Sequence, residues 1–374
     1  WSLSMSHSHL PRMSSSTPFD WYSSKIEYER FVRNENNNVI NAYQTPTIKP
    51  LRLTEGSLYS PCNDSLYFPN QGMCLSCASF KMDELSDYPE ISDVAMNSVY
   101  HPLLRRIYLI PTQVISKWYY IDITSNSYIS FTPPNGVIHN GYSGGQWCPN
   151  LQIILLVPSL QLRSHILHYI DSNGSLQSYT NNMVTDLDYH YSNSCFDPFN
   201  NRVWMVISSI PNNIVHYIDC QTLPPQIGTT SIDIAIKADY NFKDAFYVLN
   251  LNRIYFTPNL AFTQWMYIDC FTCKFVAYCP GARLLPNAYI GGVYSLLQNR
   301  IYLIPAKNFN DFNWHYIDGL TGKLIDYPRP ISLSNENQIT GFYSPKSRNM
   351  IWISTDQLQS YFTYFDFHDH IAFR

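Results

Sequence analysis

The chain has 374 residues, 45% of them apolar and only 14% charged, with a net charge of −4. The apolar content excludes a disordered chain, and the near-neutral balance excludes a general basic field for nucleic acid or an anionic membrane surface. The longest aliphatic run, Ile153 to Val157, is far too short to span a bilayer.

The 30 tyrosines, 20 phenylalanines and 8 tryptophans favour strands over helices. The chain opens on Trp1 rather than Met, which reads as a processed, trimmed or incomplete product. Residues 1–24 are rich in Ser, with several Pro, and carry no periodicity, which predicts a flexible arm. Residues 25–50 are more ordered in pattern. Phe31 to Asn34 and Val39 to Tyr43 can be laid, without a gap, over His315 to Asp318 and Lys323 to Tyr327. That segment reads as the second half of a repeat whose first half is missing. Three roles stay open for it: outer strands that close a ring, a clasp on a partner subunit, or part of an incomplete eighth blade.

From residue 57 to 374 the repeats are whole. Their marker is the triplet Tyr120-Ile121-Asp122, which returns at Tyr169, Tyr217, Tyr267 and Tyr316 and, modified, as Tyr364-Phe365-Asp366. The tyrosine numbers step by 49, 48, 50, 49 and 48, a period that signals a repeat architecture. Each unit opens with a short strand expected to end near a tyrosine: Tyr59, Tyr100, Tyr142, Tyr191, Tyr247, Tyr294 or Tyr343. A polar turn follows, as at Asn201-Arg202, Asn252-Arg253 and Asn299-Arg300. The second strand is the most apolar, as in Ile107 to Ile110 and Ile301 to Ile304, and proline often closes it. The third carries the triplet, with Trp118, Leu167, Val215, Trp265, Trp314 or Phe362 two residues before the tyrosine. Both its faces are mostly apolar or aromatic, as expected when sheets stack on both sides. A fourth strand ends the unit, at Leu324 to Tyr327, Phe275 to Tyr278, Gln177 to Tyr179, Tyr128 to Phe131 and, in the weakest repeat, Leu85 to Tyr88.

Four short strands per unit, seven units and no helical periodicity predict an all-β, seven-bladed β-propeller of four-stranded antiparallel blades, with eight blades as the alternative. The repeat wording, Asn-Arg-Ile-Tyr-Leu-Ile-Pro and then Tyr-Ile-Asp-x-x-Thr-Gly-Lys, resembles kelch and quinoprotein-type propeller blades. The paired glycines of kelch blades are mostly missing, with Gly144-Gly145 and Gly291-Gly292 as candidates, and no tryptophan-docking signature is evident. The Tyr-, Asn- and Ile-rich wording also resembles propeller proteins of large DNA viruses, which would imply a virion or cytoplasmic setting.

The repeated aspartates could line a cation channel, but an Asp followed by a polar residue and Gly is turn chemistry. His168, His216 and His315 precede the triplet and predict packing between blades with one ring nitrogen hydrogen-bonded. The arginines Arg106, Arg202, Arg253 and Arg300 read as surface or inter-blade partners. Among nine cysteines, Cys74-x-x-Cys77 and Cys270-x-x-Cys273 each resemble half a zinc site, but reduced, packed thiols fit better, and no metal or cofactor is expected. Cys62 and Cys74 flank one apparent hairpin and suit a disulfide in an oxidising compartment. His368 and His370 share a strand face near the end, where a polar turn is the cheaper account.

No phosphate loop, nucleophile elbow or zinc-protease motif is present. The sequence therefore points to a non-enzymatic scaffold that meets protein partners through rim loops or the N-terminal arm. Tyr142, Trp147 and Tyr289 are the aromatics expected at such contacts. The alternative is a carbohydrate-binding or glycan-processing propeller, with Asp186, Asp188 and His190 at the channel mouth.

Overall fold

The computed structural model describes residues 42–44, 58–68, 73–76, 82–87, 96–111, 117–133, 142–158, 166–180, 190–209, 214–231, 242–258, 265–278, 289–295, 298–305, 313–328, 338–344, 349–355 and 360–366. These residues form seven four-stranded antiparallel sheets and a 3-10 turn at Leu249–Leu251. The sheets follow one another along the chain. The third, for example, is Tyr142–Cys148, Ile153–Pro158, Ile166–Ile170 and Leu176–Thr180, in that spatial order. The first strands of the others begin at Leu58, Met96, His190, Phe242, Tyr289 and Gln338. Each first strand packs against the first strand of the next sheet, from the first sheet to the seventh. Sheets that meet edge-inward in sequence order make a β-propeller, with the first strand of each blade innermost.

The second strands explain why the sheets stack. Ile153–Pro158 is buried at every position, and Arg106–Pro111 at every position but the first. A strand buried on both faces needs neighbours on both, which the flanking blades supply. Trp118, Trp204, Trp265 and Trp314 fill the layers between. Three of these lie on third strands two residues before the triplet tyrosine and so share its face, as the period of two requires. Trp204 sits instead on the second strand of the fourth sheet, Arg202–Ser209.

The turns are equally regular. Arg105, Gln152, Asn201, Asn252 and Asn299 all have φ between 49° and 55° at the end of the first turn of their sheet. Asn tolerates this left-handed backbone better than most residues, which accounts for the recurrent Asn-Arg pair. The carbonyl of this residue then accepts the N–H that follows the triplet aspartate: Cys220 to Asn201 at 2.8 Å, Cys270 to Asn252 at 3.0 Å, Gly319 to Asn299 at 2.7 Å. One turn is thereby tied to the other within these blades.

Two expectations need correction. Tyr142 and Tyr191 lie at the start of their first strands, not near the end. Their register partners, Pro158 and Ile207, match those of Phe242 and Tyr289, because a bulge follows in each of these strands. In the weakest repeat the fourth strand is Met82–Glu84, ahead of the expected Leu85 to Tyr88, after a third strand at Met73–Ser76. The seventh sheet takes its outer strand from the other end of the chain: Ala42–Gln44 pairs with Ser360–Asp366, Tyr43 opposite Phe362.

Candidate functional site

Strands run alternately up and down, so the turns between first and second and between third and fourth strands share one rim. Five triplet aspartates, Asp122, Asp171, Asp219, Asp269 and Asp318, have described side chains on that rim, and each is consumed by its own turn. Asp318 Oδ1 accepts the backbone N–H of Thr321 at 2.8 Å and the Thr321 hydroxyl at 2.9 Å. Asp269 does the same for Thr272, both at 3.0 Å. Asp122, Asp171 and Asp219 accept turn N–H groups at 2.9, 2.9 and 3.0 Å. The side chain replaces backbone acceptors that the bend cannot offer.

The arginines pair within their own blade, not chiefly between blades. Arg202 lies 4.3 Å over the Tyr217 ring and 3.5 Å from Asp219. Arg106 and Arg253 repeat the arrangement on Tyr120 with Asp122 and on Tyr267 with Asp269, and Arg300 stacks on Tyr316. Register explains it: Arg202 faces Asp219 directly, and the ring two residues back lies on the same face. One arginine also crosses to the next blade, where Arg202 donates to Cys273 Sγ at 3.0 Å.

At the far end of the inner strands lie the tyrosine–histidine pairs. Tyr142 and His168 are hydrogen-bonded at 2.6 Å, Tyr191 and His216 at 2.8 Å, Tyr289 and His315 at 2.8 Å, all through Nδ1. Each pair bridges first and third strands of a single blade, so the histidine packing is within blades. Burial pushes His168 and His216 down to about 4, so both rings are neutral near pH 7. His315 also faces Asp326 at 3.1 Å. In the fifth sheet Phe242 and Met266 occupy the two positions and the bridge is replaced by apolar contact.

Tyr142 and Tyr289 are therefore not exposed contacts: they are 1% and 4% exposed. Trp147 is half-buried with its ring 4.6 Å from His101 of the preceding blade. His190 opens the fourth sheet, opposite Ser209. Asp186 and Asp188 lie outside the described residues, as do His368 and His370. Of the six expected site residues, the side chains of Tyr142, Trp147 and Tyr289 alone are described, and Tyr142 and Tyr289 are buried in different blades. Cys62 and Cys74 are not joined in a disulfide, and Cys62 Sγ lies 2.7 Å from the Tyr100 hydroxyl.

The inner strands carry a feature that the repeat pattern hid. Asn97, Gly144, Asn193, Asp244 and Gly291 occupy equivalent positions, opposite Ile110, Val157, Val206, Thr257 and Ile304 of their second strands. They interlock from blade to blade. Asn193 donates to Asp244 Oδ1 at 2.8 Å, Asn97 donates to the Ser143 carbonyl, and a methyl group on Gly291 would lie 3.2 Å from Asp244 Oδ2. Burial pushes Asp244 up to about 7, against the pull of its bonds to the Ala245 N–H and Asn193. A lone acid is not a metal site, and the described residues hold no cluster of three or more such ligands.

The rim is also stitched between blades: Asn200 donates to the Cys270 carbonyl at 2.5 Å, and His101 Nε2 lies 3.1 Å from the Asp171 carbonyl. Above the first of these, Phe199 and Phe271 meet edge to face at 4.9 Å, and both remain largely exposed.

No family model matches the sequence, and no curated protein is significantly similar to it. The fold has many solved counterparts. A chain of the crystal structure of the mitotic checkpoint complex is similar over 92% of this chain and 97% of that one, at 12% identity and a TM-score of 0.59. Raptor from Chaetomium thermophilum is similar over 88% of this chain and 29% of its own, at 7% identity and a TM-score of 0.58. At such identities the likeness is one of fold alone: the chain is a β-propeller.

Proposed function

We propose that the chain is a non-enzymatic propeller scaffold for protein–protein interaction, a structural or assembly component of a larger complex or virion, and that Ala42–Gln44 closes its ring at seven blades. One observation carries the reading: the repeated polar groups that resemble chemistry are spent on internal bonds. The aspartates hold turns, the arginines stack within blades, and the histidines bridge strands. The pairing of Ala42–Gln44 with Ser360–Asp366 supports the closure. Propeller rims suit partner contacts because they are surfaces on a rigid frame.

The test is isolation of the full chain from its native source with cross-linking and mass spectrometry. Stoichiometric protein partners, cross-linked to rim residues, are the expected result. Turnover of a glycan panel, lost on Asp188→Ala, would overturn the scaffold in favour of a glycan-processing propeller.

A further inference from the structure

Large apolar side chains scattered singly over a surface need no explanation. Their placement here does. Among the described residues, Leu103, Phe199, Leu223, Leu249, Phe271 and Leu320 are exposed in turns of the one rim, while Ile129 and Ile166 lie elsewhere. All but Leu103 fall in three consecutive blades, the fourth to the sixth.

Folding does not ask for them. Phe271 and Leu320 stand two residues after their triplet aspartate, where other blades have Thr124, Asn173 and Gln221. In Asp122, Asp171, Asp219 and Asp318 the carboxylate accepts the N–H of that residue whatever its side chain. Phe271 and Leu320 are also the most exposed of the set, at 65% and 68%. Turn chemistry is satisfied by a polar residue, so an exposed Phe or Leu costs solubility with no gain in folding.

A second observation gives the patch a charge. The residue across the turn from the triplet aspartate is Ser127, Ser175 or Gln226 in the second, third and fourth blades, but Lys274 and Lys323 in the fifth and sixth. The two lysines thus follow the same two turns that carry Phe271 and Leu320. Both are exposed, and neither forms an ion pair with a described residue. Asp269 and Asp318 lie across their turns from the two lysines, but each also faces an arginine, Arg253 or Arg300, so one cation is left in excess at each turn. In a chain of net charge −4 this arc presents apolar side chains beside cations.

We infer that the arc of turns across the fourth, fifth and sixth blades, centred on Phe271 and Leu320 with Lys274 and Lys323, binds an acidic polypeptide segment whose carboxylates alternate with bulky apolar residues. The apolar residues of the segment cover Phe199, Phe271 and Leu320, and its carboxylates meet the two ammonium groups. This inference rests on the scaffold reading and names one surface and one partner class for it.

The experiment is fluorescence polarisation with the full chain and three synthetic labelled peptides. One alternates Glu and Asp with Leu and Phe, one replaces each acid by Lys, and one replaces each apolar residue by Ser. The acidic–apolar peptide is expected to bind, more weakly as salt rises. Phe271→Ser with Leu320→Ser should weaken it about ten-fold or more. Lys274→Gln with Lys323→Gln should weaken it and flatten the salt dependence. All four positions are exposed, so thermal unfolding of the variants should match the parent, which separates lost binding from lost folding. Absence of binding, equal binding of the basic peptide, or indifference to the variants overturns the inference. Self-association of the parent that Phe271→Ser abolishes would assign the arc to a second copy and overturn it too. If native partners still co-purify with the four-fold variant, the arc falls and the scaffold stands. If the parent has no protein partner at all, both fall.

Discussion

Asp318 shows how a repeated residue can look catalytic and be structural. Its carboxylate takes two backbone N–H groups and one hydroxyl, all from the turn it begins. Asp318→Ala should therefore destabilise the protein by about 1 kcal/mol, with Asp318→Asn recovering part of the loss, as read by denaturant unfolding. Two other residue types make opposed contributions to pH dependence. His168 and His216 are depressed to about 4 by burial. Between that value and an unfolded pKa of about 6.5 the unfolded chain binds more protons, so these residues make stability rise with pH. Asp244 is raised to about 7, so from about 4 to 7 the folded chain binds more protons there and stability falls with pH. Asp244→Asn keeps an acceptor for Asn193 and removes the acid. The variant should be more stable than the parent at pH 8, by about 1–2 kcal/mol, and should gain stability more steeply from pH 4 to 7. Parallel urea titrations across that range check it; equal profiles would show that Asp244 is solvated in the folded state.

At the level of the strand and its turn, backbone conformation decides what the sequence pattern can reveal. Asn299 has φ of 52°, accepts the Tyr294 hydroxyl at 2.9 Å and offers its carbonyl to Gly319. Asn299→Ala should cost about 1–2 kcal/mol, and Asn299→Gly less, because glycine restores the backbone but not the hydroxyl's partner. Calorimetric melting of the pair separates the two terms. The Asn-Arg turn and the Tyr-Ile-Asp strand were legible because their residue types follow from local backbone needs. The inner strands were not. Tyr142 and Tyr191 seemed to be copies of Tyr247 and Tyr294, yet Trp147 and Phe196 hold that place. The bulge after Tyr142 adds a residue, and sequence spacing alone cannot show which side of it a tyrosine falls. The same slip hid the Tyr142–His168 bridge and suggested exposure for residues that are buried. Phe199 and Phe271 were missed for another reason. They come from different repeats, and only the packing of neighbouring blades brings them together.

For the whole molecule, the period of the triplet predicted the repeat architecture, and the half-repeat near the start left its role open. Ala42–Gln44 lies on the outer edge of the seventh sheet. Tyr43→Pro removes a ladder N–H opposite Phe362. If this strand closes the ring, the substitution should lower stability by about 1–3 kcal/mol and speed hydrogen exchange across residues 360–366, with the third sheet unaffected. Unchanged exchange there would mean that closure does not depend on this strand. The pairing also sets an order of events in synthesis. Ala42 is synthesised long before its partner Thr363, so the strand must wait, unpaired, while six other sheets are made. A contact of such sequence separation is among the slowest kinds to form. The nascent chain thus carries an open strand edge until Ser360–Asp366 arrives, and anything that delays synthesis of that strand prolongs the exposure.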